Sequence, residues 1–223
     1  MIIAATISAT PPTVAVAGDA YLGFDLIGAS SFVDFDGFNT AGLFSNKDEQ
    51  REHTSGVSLK YGLRDHFTLG GMAITPEADL AWYNEYNDLS ASFPGLPNPT
   101  LFYDTSIETG RLGVSLWTPF HVDESWRAEA GFGFGAMYRD VSTSDMFVQG
   151  QKDEYLPYGQ LGFRFLRKLD DRSSLSLGTS YLFSESTNVP LTEATPSGAP
   201  AGVFEVETDH LEISTGYQLK LGQ

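Results

Sequence analysis

Three residues near the end of the chain are of the types that form hydrolase active sites. His210, Glu212 and Ser214 stand at alternate positions, so in a β-strand their side chains share one face. Side chains two positions apart on a strand are separated by about 6–7 Å, which is too far for direct proton transfer from a nucleophile to a base. We therefore expect these residues to fill a polar face, unless another strand supplies a partner.

Candidate metal ligands are few and poorly spaced. The stretch DFDGFN offers the carboxylates of Asp34 and Asp36, but it lacks most ligands of a twelve-residue calcium loop. A turn is the better interpretation, which leaves both residues as weak metal candidates. His53, His66 and His121 have no second ligand at a useful spacing. We therefore predict no catalytic group, no cofactor and no bound metal.

The composition excludes several classes of protein. The 223 residues include 29 acidic and 13 basic side chains, a net charge of −16, which would repel the phosphates of nucleic acid. The sequence has no cysteine, so disulfides and thiolate metal sites are excluded. No apolar run is long enough for a membrane-spanning helix, although strands of about ten residues can cross a membrane in a closed barrel.

A period of two residues dominates the chain. In RAEAGFGFGAMY, residues 127–138, aromatic and alanine side chains alternate with glycines, so one face of the strand is apolar and the other nearly bare. The GFGFGA within it lacks the glycine spacing of a dinucleotide-binding loop. Seven other stretches alternate in the same way. The eight predicted strands cover residues 20–33, 56–63, 74–83, 109–117, 126–138, 157–166, 174–183 and 210–221.

The connections between these strands alternate strictly between short and long. Short polar turns are predicted near residues 64–66, 121–125 and 167–173. Long connections, rich in Asn, Asp, Ser, Pro and Gly, are predicted at about residues 34–55, 84–108, 139–154 and 185–209. This sorting is typical of a barrel with one rim outside the cell. The sequence therefore predicts an all-β fold, a closed antiparallel up-and-down eight-stranded transmembrane β-barrel with four long loops on one rim and short turns on the other.

The domain organisation is simple because no linker divides the chain. We expect residues 19–223 to form one barrel domain. Residues 1–18 form a separate N-terminal segment, either the remnant of an export signal or a flexible extension. The small residues at 15–17 have the form of a signal-peptidase site, but no basic residue precedes them.

The charges are sorted by their position on the predicted barrel. The four long connections hold 18 acidic and four basic residues, so nearly the whole net charge lies on one rim. The polar faces of the strands hold five of each sign. Burying an unpaired charge costs roughly several kcal/mol, so this balance indicates an enclosed interior. We predict a lumen plugged by an ion-pair network of Asp25, Lys60, Glu77, Asp79, Arg111, Arg127, Glu129, Arg164, Glu212 and Lys220.

The apolar faces must then contact lipid, because the interior is polar. The residues predicted to face lipid are Leu22, Phe24, Leu80, Leu112, Leu116, Phe132, Phe134, Phe163, Phe165, Leu177, Ile213 and Leu219. Aromatic residues near strand ends are expected to lie at the membrane interfaces. The predicted aromatic girdle consists of Trp82, Trp117, Trp126, Tyr138 and Tyr217.

This pattern resembles the small eight-stranded outer-membrane β-barrels of the OmpA, OmpX and OmpW kind. The resemblance covers residues 20–221, and the stretches ITPEADLAWYNEY, EAGFGFGAMYR and YGQLGFRF look like strands of such barrels. It is specific for architecture and unspecific for activity. It implies a location in the outer membrane of a bacterium and contact with outer-membrane lipids and lipopolysaccharide.

The function expected on these grounds is non-enzymatic. We expect a monomeric structural anchor or surface-interaction protein that displays acidic extracellular loops, to which divalent cations or a basic partner bind. Three alternatives stay open: a narrow porin-like channel for water or small solutes, an outer-membrane lipid-modifying hydrolase, and a soluble lipocalin-like carrier. The carrier requires the Phe and Leu faces to point inward, and the hydrolase requires a Ser and a His within hydrogen-bond reach in a lipid-accessible cleft.

Overall fold

The computed structural model describes residues 19–39, 48–93, 101–145, 147–195 and 197–222. The predicted N-terminal segment, residues 1–18, lies outside these ranges. Across the described residues no helix is long and apolar enough to span a membrane. The strands of the described residues are β1 Asp19–Asn39, β2 Asp48–Arg64, β3 Phe67–Leu69, β4 Met72–Tyr83, β5 Tyr86–Phe93, β6 Leu101–Val122, β7 Trp126–Ser144, β8 Val148–Lys168, β9 Ser173–Ser184, β10 Thr187–Glu193 and β11 Pro200–Lys220.

Eight of these strands form a closed antiparallel ring. Going round it, β1 pairs with β2, β2 with β4, β4 with β6 and β6 with β7. The ring continues from β7 to β8, β9 and β11, and β11 pairs with β1. Every backbone N–H and C=O at the seam therefore has a neighbouring strand, which is the condition for strands to cross hydrocarbon. The predicted closed, up-and-down eight-stranded barrel is confirmed.

The strands are longer than predicted, and much of the expected long loops is strand. The first strand continues to Asn39, and the last begins at Pro200 instead of His210. Two further strands extend the ring: β5 pairs with β6, and β10 pairs with both β8 and β11. A third, β3, forms a hairpin with β4. The predicted turn at 64–66 therefore leads into this hairpin.

The barrel wall has opposite polarity at two levels. The turn-side level lies towards the short turns, and the loop-side level is the part of the strands that extends into the predicted long loops. At the turn-side level the outward residues are apolar and exposed, such as Leu112 and Phe134. At the loop-side level the inward positions become apolar, as in Val33 and Phe35, and the outward ones acidic, as in Asp34 and Asp36. The two-residue period continues without a break, but its polarity is inverted. Acidic outward residues made these segments resemble loops.

An apolar core fills the interior at the loop-side level. Its members come from six strands and are almost completely buried. They are Val33, Phe35, Ile107, Val141, Val148, Val189, Leu191, Ala201, Phe204 and Val206. The rings of Phe35 and Phe204 stack at a centroid distance of 5.4 Å. The same strands thus enclose polar groups at one level and a hydrophobic core, as in a soluble protein, at the other.

Removing one ring from this core should cost much more than removing an outward one. We expect Phe35→Ala to lower the free energy of unfolding by about 3–5 kcal/mol, because a buried ring is lost and a cavity remains. The control is Phe32→Ala on the same strand, whose side chain is 45% exposed. Urea unfolding of the refolded protein, with protease sensitivity of the loop-side region, measures both. Equal losses for the two variants would contradict the buried core.

Candidate functional site

The turn-side interior is built around Arg164 of β8. Its guanidinium contacts Glu77 and Glu129 at 2.6 Å each and lies over the Trp117 ring, 4.2 Å from the centroid. Glu129 also accepts a bond from Arg127 at 2.5 Å. Strand alternation brings these groups together, because each occupies an inward position of its strand. The result is an ion-pair chain that crosses the lumen between β4, β7 and β8.

A second cluster surrounds Arg111 of β6. The guanidinium contacts Asp79 and Glu212 at 3.2 Å each, and Glu212 also accepts a hydrogen bond from the hydroxyl of Tyr83. Lys60 pairs with Asp25 on the neighbouring strands. These pairs lie in the centre of the barrel, where a charge without a partner would be expensive.

The two clusters leave little open space. The cavity between them, lined by both Arg111 and Arg164, has a volume of about 20 Å³. This is room for about one water molecule. A wider vestibule of about 320 Å³ opens at the turn-side rim. Among the described residues, the space between the ion pairs is therefore much smaller than the vestibule at the rim.

The structure brings together all the predicted lumen residues except Lys220. All ten lie at inward positions, and nine lie within the ion-pair clusters or directly beside them. Lys220 instead lies at the open rim, where it pairs with Asp19 at 2.5 Å and stays 35% exposed. Arg127 also reaches the rim, since it makes a two-pronged contact with Asp65 at 2.6 and 3.0 Å.

The prediction that Trp117 belongs to the aromatic girdle is wrong. Its side chain is only 4% exposed and points into the lumen, where Nε1 donates to Glu77 at 3.2 Å. Its neighbours Leu116 and Leu112 face outward, so the alternation of β6 places residue 117 inside. The position of Trp117 near a strand end suggested the girdle. The alternation of side chains along β6 determines which face it occupies, and it places Trp117 inside.

The other predicted girdle and lipid-facing residues lie on the outer wall. Trp126 and Tyr217 are exposed there, and Trp82 stacks on Tyr138 at a centroid distance of 6.3 Å. Trp82 lies over Gly110, where a Cβ would come within 2.6 Å of the indole. The predicted lipid-facing residues exposed on the outer wall are Leu22, Phe24, Leu80, Leu112, Phe132, Phe134, Phe163, Phe165, Leu177, Ile213 and Leu219. Leu116 is half-buried on the same face.

A serine–histidine pair does form, but inside the barrel. Ser31 Oγ lies 2.7 Å from His210 Nδ1, across the β1–β11 seam. Both side chains are buried, and the His210 ring stacks on Tyr83. Ser214, the hydroxyl considered from sequence, lies four positions further along β11. The pair therefore meets the distance expected of a nucleophile and base but not the lipid-accessible cleft.

One buried cation was missed from the sequence. Arg139 was assigned to a long loop, yet it is an inward residue of β7 with a fully buried side chain. It donates to Thr208 at 2.5 Å, to Ser184 at 2.7 Å and to Thr187 at 3.1 Å. It lies between the ion-pair level and the apolar core. The sequence did contain a signal for this orientation, because Arg139 lies two positions after the inward-facing Met137 and therefore on the same face of the strand.

The weak metal candidates lie on the outer wall. Asp34 and Asp36 are outward residues of β1, opposite Glu207 and Glu205 of β11, rather than members of a turn. Among the residues that the structure describes, no group of three or more His, Cys, Asp or Glu side chains could hold a metal ion. His121 lies at the exposed turn-side rim, 3.3 Å from Asp123.

Two carboxylates organise the short turns outside the membrane. Hydrogen bonds from the backbone N–H groups of Ser125 and Trp126 hold the pKa of Asp123 below its ordinary value. Hydrogen bonds from Ser173 and from the backbone of Arg172 do the same for the pKa of Asp170. Each ionised carboxylate stabilises its turn at neutral pH, and this contribution is lost as the pH falls through the lowered pKa.

Removing the central cation should destabilise the barrel strongly. We expect Arg164→Met to lower the free energy of unfolding by about 3–5 kcal/mol, because Glu77 and Glu129 lose a buried partner. The matched control is Lys168→Met on the same strand, which breaks an exposed pair with Asp171 and should change little. Urea unfolding of the refolded protein in lipid vesicles provides the measurement. An Arg164→Met variant as stable as the control would show that the ion pairs do not hold the lumen together.

Comparisons with known proteins identify the fold. No protein-family model matches the sequence, and no curated protein gives a significant match. The chain is similar to outer membrane protein OprG from Pseudomonas aeruginosa, with a TM-score of 0.60, 13% identity and coverage of 93% of this chain and 98% of that one. It is similar to the outer membrane protease OmpT from Escherichia coli, with a TM-score of 0.55, 6% identity and coverage of 97% and 100%.

A third similar structure is a major outer membrane protein from Thermus thermophilus. The TM-score is 0.51 at 11% identity, with 86% of this chain and 99% of that one covered. All three proteins come from bacterial outer membranes, in agreement with the predicted localisation. The chain therefore has the fold of the small bacterial outer-membrane β-barrel proteins, as the sequence resemblance predicted.

Proposed function

We propose that this protein is a non-conducting, non-enzymatic outer-membrane barrel whose loop-side extension presents an acidic surface to a partner. The observation that carries the proposal is the filled interior. Ion pairs centred on Arg111 and Arg164 occupy one level, and the core around Phe35 and Phe204 occupies the next. Among the described residues, the outer surface of the extension is a strongly charged surface that stays available for interaction.

The two fillings oppose conduction in different ways. An ion at the first level meets fixed charges that already satisfy each other. At the second level it meets a close-packed apolar core, where losing its hydration is unfavourable. A channel would have to open a path through both levels of the interior, which argues against the narrow porin-like alternative.

The burial of Ser31 and His210 supports a non-enzymatic protein. A lipid substrate contacts the outer wall, whereas this pair lies inside, at the boundary between the two levels. The outward orientation of Phe132 and Phe134 argues against the lipocalin-like carrier. The loop-side core has the inward apolar residues that a carrier needs, but its members pack against one another.

The outer surface of the extension carries carboxylates in register. On β1 and β11, Asp34 lies opposite Glu207 and Asp36 opposite Glu205. A second row crosses β6, β7 and β8 with the residues Glu108, Asp140 and Asp153. In the second row, like charges directly opposite one another are destabilising, so a cationic partner lowers the energy of this surface. We infer that divalent cations shared with lipopolysaccharide phosphates, or a basic partner, bind there while lipids surround a monomeric barrel.

The filled lumen makes planar-bilayer recordings the direct test of this proposal. We expect folded protein, identified by a gel mobility that shifts on boiling, to produce no conductance steps. The control is the same preparation after boiling, which reports any contaminating porin that survives heat. Reproducible steps from the folded band alone would overturn the proposal in favour of a narrow channel.

The acidic surface predicts saturable binding of cations. Calorimetry with Ca²⁺ or pentalysine on protein in nanodiscs should give heats that weaken as salt is added. Glu205→Gln/Glu207→Gln should weaken pentalysine binding by about fivefold per charge removed, from about 1 kcal/mol per charge near such a surface. Glu193→Gln, at the exposed last residue of β10, is the control. If neither Ca²⁺ nor pentalysine gives saturable heat, the proposal that the acidic surface binds a cationic partner is wrong.

A further inference from the structure

The β3–β4 hairpin departs from the barrel at its turn-side end. Asp65 has a φ of 52°, and the two-residue turn at Gly70 and Gly71 has φ values of 59° and 84°. Two successive positive φ angles suit a tight hairpin and need glycine. The tip carries Leu69 and Met72, which are 63% and 54% exposed. This connection is much more apolar than the turns that contain Asp123 and Asp170.

An apolar groove separates this hairpin from the outer wall of the barrel. The hairpin contributes Leu69 and Met72, and the wall contributes outward residues of β6, β7 and β8, among them Leu116, Phe132 and Leu161. The groove has a volume of about 470 Å³, within the range of about 300–1,000 Å³ typical of small-molecule sites. The hairpin thus lies beside the lipid-facing wall.

The groove exists because a row of aromatic side chains on the outward face of β7 is interrupted. On the outward face of β7, Phe132 and Phe134 project from the wall, but Ala130 does not. Ala130 lines the groove together with the backbone of Gly131 and Gly162. The indole of Trp117 fills the inward side of Gly131, where a Cβ would come within 2.4 Å of it. At Gly162 a Cβ would meet Ser180 Oγ at 2.7 Å and the same indole at 3.1 Å. The wall is therefore thin and smooth here.

The occupant follows from the surroundings of the groove. Its lining is almost entirely apolar, and it continues directly into the belt of exposed Leu and Phe side chains, so water is unfavourable in it. The wall residues lie in the half of β6–β8 nearer the short turns. We propose that the groove binds an acyl chain of a phospholipid from the turn-side leaflet. The proposal rests on the membrane placement of the belt but on no property of the acidic surface or the lumen.

Retained lipid in native mass spectrometry tests the groove. Protein refolded in an equal mixture of phospholipid and lipopolysaccharide, then exchanged into detergent, should keep one phospholipid per barrel. Ala130→Trp fills the groove and should reduce the retained fraction by about tenfold, which corresponds to about 1.4 kcal/mol of lost contact. Ala136→Trp places the same side chain on the same face of β7 outside the groove and should leave retention unchanged.

The opposite results overturn the proposal. Equal retention by Ala130→Trp and wild type, retention of lipopolysaccharide in place of phospholipid, or no retained lipid would each do so. Folding is checked independently by the heat-dependent gel shift, so a barrel that folds without retaining lipid counts against the groove and not against the fold.

A second measurement needs no variant. Met72 lines the groove, whereas Met137 is buried in the lumen at 1% exposure. In methyl-labelled protein in detergent, adding phospholipid should shift the Met72 signal and saturate near one equivalent, while Met137 stays unchanged. A Met72 shift that rises linearly without saturation would indicate nonspecific contact and overturn the site.

Discussion

The fold depends on one constraint: a closed ring of strands in lipid sends every second side chain inward, and each charge in that interior must have a partner of opposite charge or a set of hydrogen bonds. Hydrocarbon offers no partner for backbone groups, so the ring must close. Closure then traps polar side chains in a narrow space, where an unpaired charge is unstable. Arg164 between Glu77 and Glu129, and Arg111 between Asp79 and Glu212, satisfy this requirement. The outward side chains are apolar because they contact lipid instead of water.

The same strands satisfy the opposite condition on the loop side. Once β1 passes Phe32, its outward residues are acidic and its inward ones apolar, without any change in the alternation. The backbone ring continues, but the surrounding solvent is water, so the polarity of the wall inverts. Arg139 lies where the two interiors meet and is satisfied by hydroxyl and carbonyl oxygens. One chain therefore combines a lipid-facing barrel with a water-facing one, and the described interior holds ion pairs in the first and an apolar core in the second.

Much of this arrangement could be predicted from the sequence, because parity within a strand determines which side chains share a face. The spanning strands and the inward charges were found in this way. Trp117 was misassigned when its place near a strand end was given more weight than its parity. The loop-side strands were missed because acidic outward residues resemble loop composition. Contacts between distant residues, such as Ser31 with His210, depend on which strands close the ring, and a local pattern contains no such information. The β3–β4 hairpin was missed because the predicted turn ended at residue 66 and the next predicted strand began at residue 74, so β3 and its glycine pair were assigned to neither.

The inversion of polarity along a single strand is the central claim, and a cysteine scan of residues 22–36 tests it most directly. The chain has no native cysteine, so single spin labels can be placed along β1 in lipid bilayers. Collision rates with oxygen and with a water-soluble nickel reagent then report lipid and water contact. Positions 22, 24, 26 and 32 should collide with oxygen, positions 34 and 36 with nickel, and positions 33 and 35 with neither. Nickel access at 33 and 35, or at 22 and 24, would contradict the account.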